Sequence, residues 1–446
     1  MNRKIGIVGE NSAEYVKALL NIWEAGDCAV LLDWRLPPGQ VLEMLSLSGA
    51  QECYIDRRFE SQDLQNSSLY IHWMESPAGQ SVSLSPDDFR DFRFPTSDED
   101  AVILFSSGTT GKSKGIVLYF RALYENSEAV AEYLQPNPND CFYLVKALSH
   151  SSTLVGELLV ALRFSARVIL AATVLPPRVA LHSICEEKAT ILCVNPVLLE
   201  LFARTQERLH FPLPLRVIYT SGAVADRALM LRAREIFAPI PVLNVYGLSE
   251  AGPRVSAQRI NGYHTPGSVG VPVRGVSVEI RRENGTRCTW GEQGVLFVKT
   301  PSALSRYLGA PSPCRDGWIN TGDIGVLDET GELFVRGRAD DVIVQGAHNL
   351  DPNGIEAVLK ECPGVEKCMV FGVPDSQYGQ RALCIYVAKE NFTQRLYRYA
   401  RERLADYEIP KGFLRVPAIP VTVTGKRSRA LARSQYLAAK EDKLHE

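Results

Sequence analysis

The chain has 446 residues, of which 46% are hydrophobic, and a formal net charge of -2. This length and apolar content allow at least two domains with sizeable cores, and the near-neutral charge excludes a general electrostatic attraction to nucleic acids or anionic membranes. The ten cysteines form no CxxC pair, the start of the chain lacks the apolar core of a signal peptide, and no apolar run approaches the length of a membrane span. We therefore expect a reduced cytoplasmic protein with buried cysteines and a small-molecule partner.

The first half of the chain alternates strand and helix patterns. Residues 5–8 predict a short strand, and the helix expected after it is capped by Asn11 or Ser12 and ended by Gly26. The apolar positions of that helix recur at helical spacing: Tyr15, Val16, Leu19, Leu20 and Trp23. Further strands are predicted at residues 29–32, 101–105, 141–145, 168–171, 191–194 and 217–220, with helices between them, one of them over residues 121–134. This alternation predicts a mostly parallel sheet covered by helices.

The pattern changes near Gly267 to short β-type runs separated by glycine and aspartate turns. These runs are residues 276–280, 294–298 and 332–337, with a turn at residues 328–331. After Asp340 the sequence predicts strands at residues 368–373 and 384–387 and a helix over residues 394–404. We therefore expect an α/β protein with a large N-terminal domain, residues 1–339, that includes a β-rich subdomain, and a small α+β C-terminal domain, residues 340–446.

A glycine-rich segment, SSGTTGKSKG at residues 106–115, follows the apolar run at residues 101–105. Its glycines let the backbone approach a ligand closely, and hydroxyl donors beside Lys112 and Lys114 suit a polyphosphate. A Walker A motif would need a glycine where Ser106 stands, so that interpretation fails. Taken alone, the segment is equally compatible with a flexible surface loop.

The segment SSGTTGKSKG resembles the phosphate-binding signature of the adenylate-forming enzymes, which include acyl-CoA and aryl-CoA synthetases, nonribosomal peptide adenylation domains and luciferases. Further segments match the family's other signatures in the family's order: TSGA at 220–223, NVYGLSE at 244–250, TGD at 321–323, GRADD at 337–341 and TGKRSR at 424–429. The resemblance covers nearly the whole chain. Ser221 and Ser249 depart from it mildly, since they replace a common glycine and a common threonine.

The resemblance implies roles for individual residues. Those expected to bind ATP or AMP are Ser106, Ser107, Gly108, Thr109, Thr110, Lys114, Ser221, Gly222, Ala223, Asn244, Tyr246, Gly247, Ser249, Asp323 and Arg338. Within this set Ser249 would contact the α-phosphate, and Asp323 would accept the ribose hydroxyls. Glu250 would hold Mg2+, which prefers hard oxygen ligands and usually takes only one or two carboxylates from a protein.

The resemblance also implies a catalytic set of Lys426, His150 and Ser249, with Asp340 as the hinge of a mobile C-terminal domain. The ammonium group of Lys426 would contact both the attacking carboxylate and the α-phosphate, which lowers the barrier to bringing two anions together. His150 falls beside the carboxylate pocket of acyl and aryl acid synthetases.

Two further positions bear on the substrate. Domains that activate α-amino acids carry an aspartate where this chain has Ser152, so we expect an aryl or acyl acid without an α-amino group. Ala347, Asn349 and Gly354 replace residues common in relatives, and the glycine replaced by Ala347 lies by the pantetheine channel of the family. The sequence therefore supports adenylation more directly than thioester formation.

The implied function is activation of a carboxylic acid by ATP and Mg2+ to acyl-AMP with release of pyrophosphate. The acyl group would then pass to the phosphopantetheine thiol of CoA or of a carrier protein. Three alternatives stay open: an adenylating enzyme that loads only a carrier protein or a non-thiol acceptor, a nucleotide-binding relative without activity, and a P-loop NTPase, which Ser106 disfavours.

Overall fold

The computed structural model describes residues 2–76, 79–107, 113–171, 175–262, 264–345, 348–375, 378–422 and 427–442. The helices are α1 (Ala13–Glu24), α2 (Pro38–Ser48), α3 (Gln62–Gln65), α4 (Phe120–Leu134), α5 (Ser151–Thr153), α6 (Val160–Arg163), α7 (Pro177–Glu186), α8 (Pro196–Leu209), α9 (Arg227–Phe237), α10 (Pro352–Lys360), α11 (Thr393–Arg403) and α12 (Arg429–Asp442). A π-helical stretch, Leu154–Leu159, joins α5 to α6. Short 3-10 helices lie at Arg57–Phe59, Pro86–Phe89, Ser249–Ala251 and Ala339–Asp341.

The strands of the first half are β1 (Lys4–Val8), β2 (Cys28–Leu32), β3 (Glu52–Asp56), β4 (Tyr70–Met74), β5 (Val82–Leu84), β6 (Asp100–Ser107), β7 (Ser113–Tyr119), β8 (Cys141–Leu144), β9 (Arg167–Leu170), β10 (Ile191–Val194), β11 (Val217–Thr220) and β12 (Val242–Gly247). Those of the second half are β13 (Arg254–Ala257), β14 (Val271–Pro272), β15 (Ser277–Arg281), β16 (Gln293–Lys299), β17 (Arg306–Leu308), β18 (Cys314–Arg315), β19 (Trp318–Leu327), β20 (Leu333–Arg338), β21 (Ile343–Gln345), β22 (His348–Leu350), β23 (Lys367–Asp375), β24 (Gly379–Val387) and β25 (Gly412–Arg415).

Two large sheets carry the first half of the chain. The first has the order β17-β7-β6-β2-β1-β3-β4, and its strands from β6 to β4 are parallel. The second has the order β14-β13-β12-β11-β10-β8-β9-β5 and is parallel from β12 to β9. Two smaller sheets follow, with the orders β15-β16-β19-β18 and β22-β21-β24-β23, and with β20 and β25 paired to β19 and β24. The predicted helix-covered, mostly parallel architecture and the β-rich region after it are confirmed.

Helix α1 shows how local signals produce these elements. The side chain of Ser12 accepts a hydrogen bond from the backbone N–H of Tyr15, which caps the first turn, and Gly26 follows the helix with a φ of 71°. The predicted apolar face is buried, and its Trp23 is fully inaccessible and donates through Nε1 to the carbonyl of Ala101 at 2.9 Å. Burying one leucine such as Leu19 on this face contributes roughly 1.5–3 kcal/mol.

The strand β7 was not predicted. The sequence predicted a loop after residue 105 and a helix from residue 121, but residues 113–119 form a strand that pairs antiparallel with β6. The pairing satisfies the backbone of a segment whose apolar residues, Ile116, Val117 and Leu118, are fully buried. The glycine-rich segment therefore connects two strands of a hairpin.

The chain divides into two compact units. The first comprises Met1–Glu292, Leu296–Thr321 and Leu327–Phe334, and the second comprises Gln293–Val295, Gly322–Val326 and Val335–Glu446. In the second unit α10 and α11 pack on one face of the sheet around β23 and β24, and α12 packs on the other face. Within the described ranges, no helix is long and apolar enough to cross a membrane.

Candidate nucleotide and acid site

The hairpin of β6 and β7 positions the glycine-rich segment. Its last paired residues are Ser107 and Ser113, and Lys114 lies opposite Ser106 in the register. The predicted nucleotide-binding residues Gly108, Thr109 and Thr110 lie outside the described residues, as do the side chains of Ser106 and Ser107.

The structure brings the predicted phosphate-binding lysine and the predicted magnesium-binding carboxylate to the same tyrosine. The Nζ atom of Lys114 lies 5.6 Å from the centre of the Tyr307 ring, and the Tyr307 hydroxyl donates to Oε1 of Glu250 at 2.6 Å. Strand β17 places Tyr307 here by pairing with β7, with Leu308 opposite Gly115. Sequence reasoning missed Tyr307, because a single aromatic residue in a short strand carries no signal of its own.

A tight turn presents Ser249 and Glu250 after β12. A Cβ atom at Gly247 would lie 1.8 Å from the carbonyl oxygen of Pro253, so only glycine fits where these two backbone segments pass each other. The backbone N–H of Leu304 donates to the carbonyl of Glu250 at 2.8 Å and holds the turn. One fixed carboxylate is what Mg2+ needs when phosphate oxygens and water supply its other ligands. No group of three or more potential metal ligands occurs among the described residues.

The start of the α5 segment meets this turn. The hydroxyl groups of Ser151 and Ser249 lie 2.8 Å apart, and His150 directly precedes Ser151. His150 also acts on Asp33: burial raises the pKa of that carboxyl, but hydrogen bonds from Arg35, with a contribution from the charge of His150, lower it below its ordinary value. The structure therefore places Ser151, the sequence neighbour of the predicted catalytic residue His150, against the predicted α-phosphate contact Ser249, and a catalytic role of His150 stays a prediction.

The segment predicted to pack on adenine follows β11. The backbone N–H of Ser221 donates to the carbonyl of Val194 at 3.0 Å and its side chain is buried, whereas Gly222, with a φ of 91°, and Ala223 are exposed. An exposed, small-residue turn beside a buried anchor leaves room for a flat ligand against its backbone.

Asn244 and Tyr246 lie in β12. The side-chain amide of Asn244 is buried and donates to the carbonyl of Ser268 at 3.2 Å, and its backbone N–H donates to Oε1 of Gln258. Tyr246 is half-buried and pairs with Ser256 on β13. Asn244 thus fixes the strand that carries the turn, and direct nucleotide contact by Asn244 or Tyr246 stays a prediction.

In the second unit, the structure pairs the two predicted ribose-binding residues. Nη1 of Arg338 donates to Oδ1 of Asp323 at 3.1 Å. Gly322, with a φ of 68°, lets the guanidinium pass, because a Cβ atom there would lie 2.9 Å from Nη2 of Arg338. The predicted hinge residue Asp340 lies in the 3-10 helix Ala339–Asp341, and its side chain lies outside the described residues.

The predicted catalytic Lys426 lies outside the described residues, as do Ala347 and the side chain of Asn349. Gly354 lies in α10, where a Cβ atom would come within 3.1 Å of Oδ2 of Asp351.

A buried group of charged side chains next to Ser221 was missed. Nζ of Lys146 lies 3.0 Å from Oε1 of Glu157, 2.9 Å from Sγ of Cys193, and 3.4 Å from the hydroxyls of Ser152 and Ser221. Glu157 is fully buried, and burial raises the pKa of its carboxyl. The available signal was a lysine just after the apolar strand at residues 141–145, where parallel strands present their functional side chains.

Comparison with known proteins identifies related enzymes. Residues 2–308 match the family described as AMP-binding enzyme, and residues 354–426 match the AMP-binding enzyme C-terminal domain. An uncharacterized acyl–CoA ligase of Bacillus subtilis is 28% identical over 433 residues, which are 96% of this chain and 87% of the relative. A 2-succinylbenzoate–CoA ligase of Bacillus licheniformis is 31% identical over 344 residues, covering 74% of this chain and 69% of the relative.

A solved structure with the same fold is the o-succinylbenzoate CoA synthetase of Bacillus subtilis in complex with its acyl-adenylate intermediate. It superimposes with a TM-score of 0.84 at 26% identity and covers 97% of this chain and 88% of that one. The fold class, the enzymatic nature and the AMP binding that the sequence implied are therefore confirmed. The family match spans most of the chain and contains Lys114, Tyr307 and Glu250 in contact, so the chain belongs to the AMP-binding enzymes of the adenylate-forming superfamily.

Proposed function

We propose that this protein is an ATP-dependent acid–thiol ligase. It activates a carboxylic acid to acyl-AMP with release of pyrophosphate and then transfers the acyl group to a phosphopantetheine thiol. The observation that carries the proposal is the contact of Lys114 and Glu250 with the same Tyr307 ring and hydroxyl, with Ser249 next to Glu250. This arrangement sets a cation and a metal-binding carboxylate where a triphosphate needs both.

Residues of the first unit have separate roles in the first step, the formation of acyl-AMP. Lys114 neutralises phosphate charge, Ser249 donates to the α-phosphate, and Tyr307 fixes the orientation of the Glu250 carboxylate. Glu250 would hold Mg2+, which as a Lewis acid would stabilise the negative charge that develops on the leaving pyrophosphate. His150 lies at the start of the α5 segment and orients the attacking carboxylate toward that phosphate.

The remaining residues act from the second unit. Asp323 and Arg338 bind the ribose, and Lys426 joins the attacking carboxylate to the α-phosphate in the transition state. We assign residues 1–339 to an adenylation domain and residues 340–446 to a mobile domain that turns about Asp340. Withdrawal of Lys426 after the first step would then let the thiol reach the acyl-AMP, so that two reactions share one site.

CoA is the first candidate for the thiol. The curated relatives are named as CoA ligases, one of them for 2-succinylbenzoate, which supports CoA as acceptor and a small carboxylic acid as substrate. Ser152 favours an aryl or acyl acid without an α-amino group. A carrier protein is the second candidate acceptor, and the cytoplasm is the location we propose from the sequence.

The test is acid-dependent ATP–pyrophosphate exchange over a panel of aryl, short-chain and long-chain acids and amino acids. We expect exchange with one acid class in the wild type and a loss on the order of 10²- to 10³-fold in Lys426→Ala, because that variant removes a preorganised donor. The exposed Lys17 provides a matched control, Lys17→Ala, that keeps the wild-type rate.

The same assay separates the alternatives. Rapid thioester formation with free CoA excludes an enzyme that loads only a carrier protein or a non-thiol acceptor. Nucleotide binding without exchange for any acid would indicate a non-enzymatic relative. Steady ATP hydrolysis to ADP without acid would indicate an NTPase and contradict the proposal.

A further inference from the structure

The buried charged group in the first unit is named here the Lys146 cluster and consists of Lys146, Glu157 and Arg254. Arg254 and Glu157 are about 1% exposed, and the side chain of Lys146 is 11% exposed. Lys146 is therefore the most exposed member of the cluster. The side chain of Asn11 fixes the backbone around Lys146: it donates to the carbonyl of Lys146 and accepts from the N–H of Leu148.

The charges of the Lys146 cluster are not balanced. It contains two cations and one carboxylate, and the buried groups nearest to Arg254 are neutral: Nε donates to the Tyr133 hydroxyl at 3.1 Å, and the guanidinium lies 5.6 Å from the centre of the Tyr219 ring. Nη2 of Arg254 is buried and has no hydrogen-bond partner among the described residues. A buried cation without a full set of partners is costly, so such a group in a folded protein calls for an explanation, and a bound anion is one that also balances its charge.

The carboxylate of Glu157 does not remove this excess. Its Oε1 atom forms an ion pair with Lys146 that is not aligned as a hydrogen bond. Burial disfavours the charge on Lys146, but Cys193 and Glu157 raise its pKa above the ordinary value, so the ammonium stays protonated. Burial also raises the pKa of the Cys193 thiol, which therefore stays neutral and adds no negative charge to the cluster. Because burial raises the pKa of Glu157 as well, protonation of that carboxyl would only increase the positive excess.

The Lys146 cluster lies at a defined place relative to the reacting end of the acid. The α5 segment begins at the Ser151 hydroxyl, 2.8 Å from that of Ser249, and the next residue, Ser152, points its hydroxyl to within 3.4 Å of Nζ of Lys146. An acid whose carboxylate faces the α-phosphate at Ser249, and whose other end follows the start of α5, would reach Lys146. Nη2 of Arg254 closes the space behind Gly156, where a Cβ atom would lie 2.7 Å from it.

We propose that Lys146 binds a second anionic group of the acid substrate, so that the substrate is a short or aromatic dicarboxylic acid rather than a monocarboxylic acid. The proposal rests on the acid-activating function proposed above. The second carboxylate would accept hydrogen bonds from the ammonium of Lys146 and the hydroxyls of Ser152 and Ser221, and its charge would balance the buried cations. Lys146 is thus the residue that determines specificity, and it takes no part in the transfer step.

The first experiment uses the wild-type protein and needs no variant. It compares kcat/KM in ATP–pyrophosphate exchange for matched acids: butanedioate with butanoate, pentanedioate with pentanoate, and benzene-1,3-dicarboxylate with benzoate. We expect at least one dicarboxylate to exceed its matched monocarboxylate by about 10-fold or more, the gain from one charge-assisted contact. Including 4-aminobutanoate tests the competing role of Glu157 as partner of a substrate ammonium.

The second experiment changes the cluster. In Lys146→Met, kcat/KM for the dicarboxylate should fall on the order of 100-fold, because the variant leaves a charged partner unpaired, while the monocarboxylate value changes less than about 3-fold. Lys146→Arg should restore part of the preference, and Lys17→Met is the control at an exposed lysine. The double variant Lys146→Met/Glu157→Gln removes the ion pair as a unit, and AMP affinity verifies that each protein is folded.

The outcomes separate the two proposals. If monocarboxylates or 4-aminobutanoate support the fastest exchange, and Lys146→Met leaves their kcat/KM and the acid preference unchanged, the role of Lys146 is wrong while acid activation stands. If no acid supports exchange although ATP binds, acid activation itself fails and takes this inference with it.

Discussion

Two buried groups of charged side chains, one in each compact unit, differ in how completely their charges are paired. The Lys146 cluster holds two cations against one carboxylate and leaves Nη2 of Arg254 without a partner. The other group, named here the Glu356 network, consists of Glu356, Asp341, Asn353, Arg427 and Arg429 and balances two carboxylates against two guanidinium groups.

Every charged atom at the centre of the Glu356 network has a partner. Oε1 of Glu356 accepts from Nη2 of Arg429 at 2.7 Å and from the N–H of Val370 at 2.9 Å, and Oε2 accepts from Arg427 at 2.6 Å. Arg429 also donates to Asp341 at 2.8 Å.

The difference in charge pairing indicates different roles for the Lys146 cluster and the Glu356 network. A satisfied and neutral network fixes one arrangement of the chain, here the segment that follows Lys426 against helix α10 and Asp341. A cluster with surplus positive charge and a partly exposed lysine side chain has capacity for an anion. Burial alone therefore does not distinguish the two groups, whereas the completeness of their charge pairing does.

The largest effect we expect is on stability, in Glu356→Ala. This change leaves Arg427 and Arg429 without their shared carboxylate, and breaking a buried pair in this way costs about 3–5 kcal/mol. The free energy of unfolding in urea measures it, with Glu361→Ala on the exposed end of the same helix as the control. A loss below about 1 kcal/mol would mean that water replaces the carboxylate and that the network is not closed.

A smaller effect on stability is expected in Glu157→Gln, and its size should depend on whether a dicarboxylate is bound. Loss of this charge should lower the free energy of unfolding by about 1–3 kcal/mol, because Glu157 is the one carboxylate that the described part of the chain places in the Lys146 cluster. A saturating dicarboxylate should raise the thermal midpoint of this variant more than that of the wild type, since the anion replaces the lost charge. Equal shifts of the thermal midpoint in both proteins would mean that the Lys146 cluster does not differ from the Glu356 network in its capacity for an anion.

The sequence predicted most of the fold because its strongest signals are local. Strands β10 and β11 match their predicted ranges, and α1 has the predicted cap at Ser12 and buried face, since periodicity and capping depend on neighbouring residues. Strand β7 was missed because its place depends on pairing with β6, across a segment whose glycine content predicted a loop.

The candidate site was predictable only where it follows the signatures. Lys114, Ser249 and Glu250 come from segments whose order resembles a known family, and the structure brings them together. Tyr307 reaches the site through strand β17, whose pairing partner β7 is distant in sequence. Arg254 lies in β13, which pairs with the preceding strand β12, but its side-chain partner Tyr133 is distant in sequence. Lys146 has an ordinary neighbourhood in the sequence, and only the fold surrounds it with Glu157, Cys193 and Ser221.

We expect an effect of intermediate size in Tyr307→Phe. This variant removes a single hydrogen bond to the carboxylate that is predicted to hold the metal ion. Without the hydroxyl, Oε1 of Glu250 loses its 2.6 Å donor, and a residue that orients a metal ligand typically contributes 10- to 100-fold in metal affinity. We expect the Mg2+ concentration for half-maximal exchange to rise about 10-fold, with Tyr70→Phe on an exposed tyrosine as the control. An unchanged Mg2+ dependence would leave Tyr307 with a packing role against Lys114 only.

The smallest effect should come from a pair that lies in neither buried group. Glu292 is a surface residue, and the side chain of Arg282 and the backbone N–H of Thr289 lower the pKa of its carboxyl below its ordinary value. A depressed folded-state pKa contributes stability above the unfolded value that is lost as the pH falls through the folded value. Arg282→Gln should therefore narrow the stability difference between pH 6 and pH 3 slightly, and high salt should remove the effect because exposed pairs are screened.

Unfolding midpoints at both pH values, with and without 1 M salt, measure this change. If Arg282→Gln destabilised the protein as much as Glu356→Ala, exposed charges would matter as much as enclosed ones. The comparison of the two buried groups would then lose its basis, because completeness of pairing has energetic consequences only where water cannot supply the missing partner.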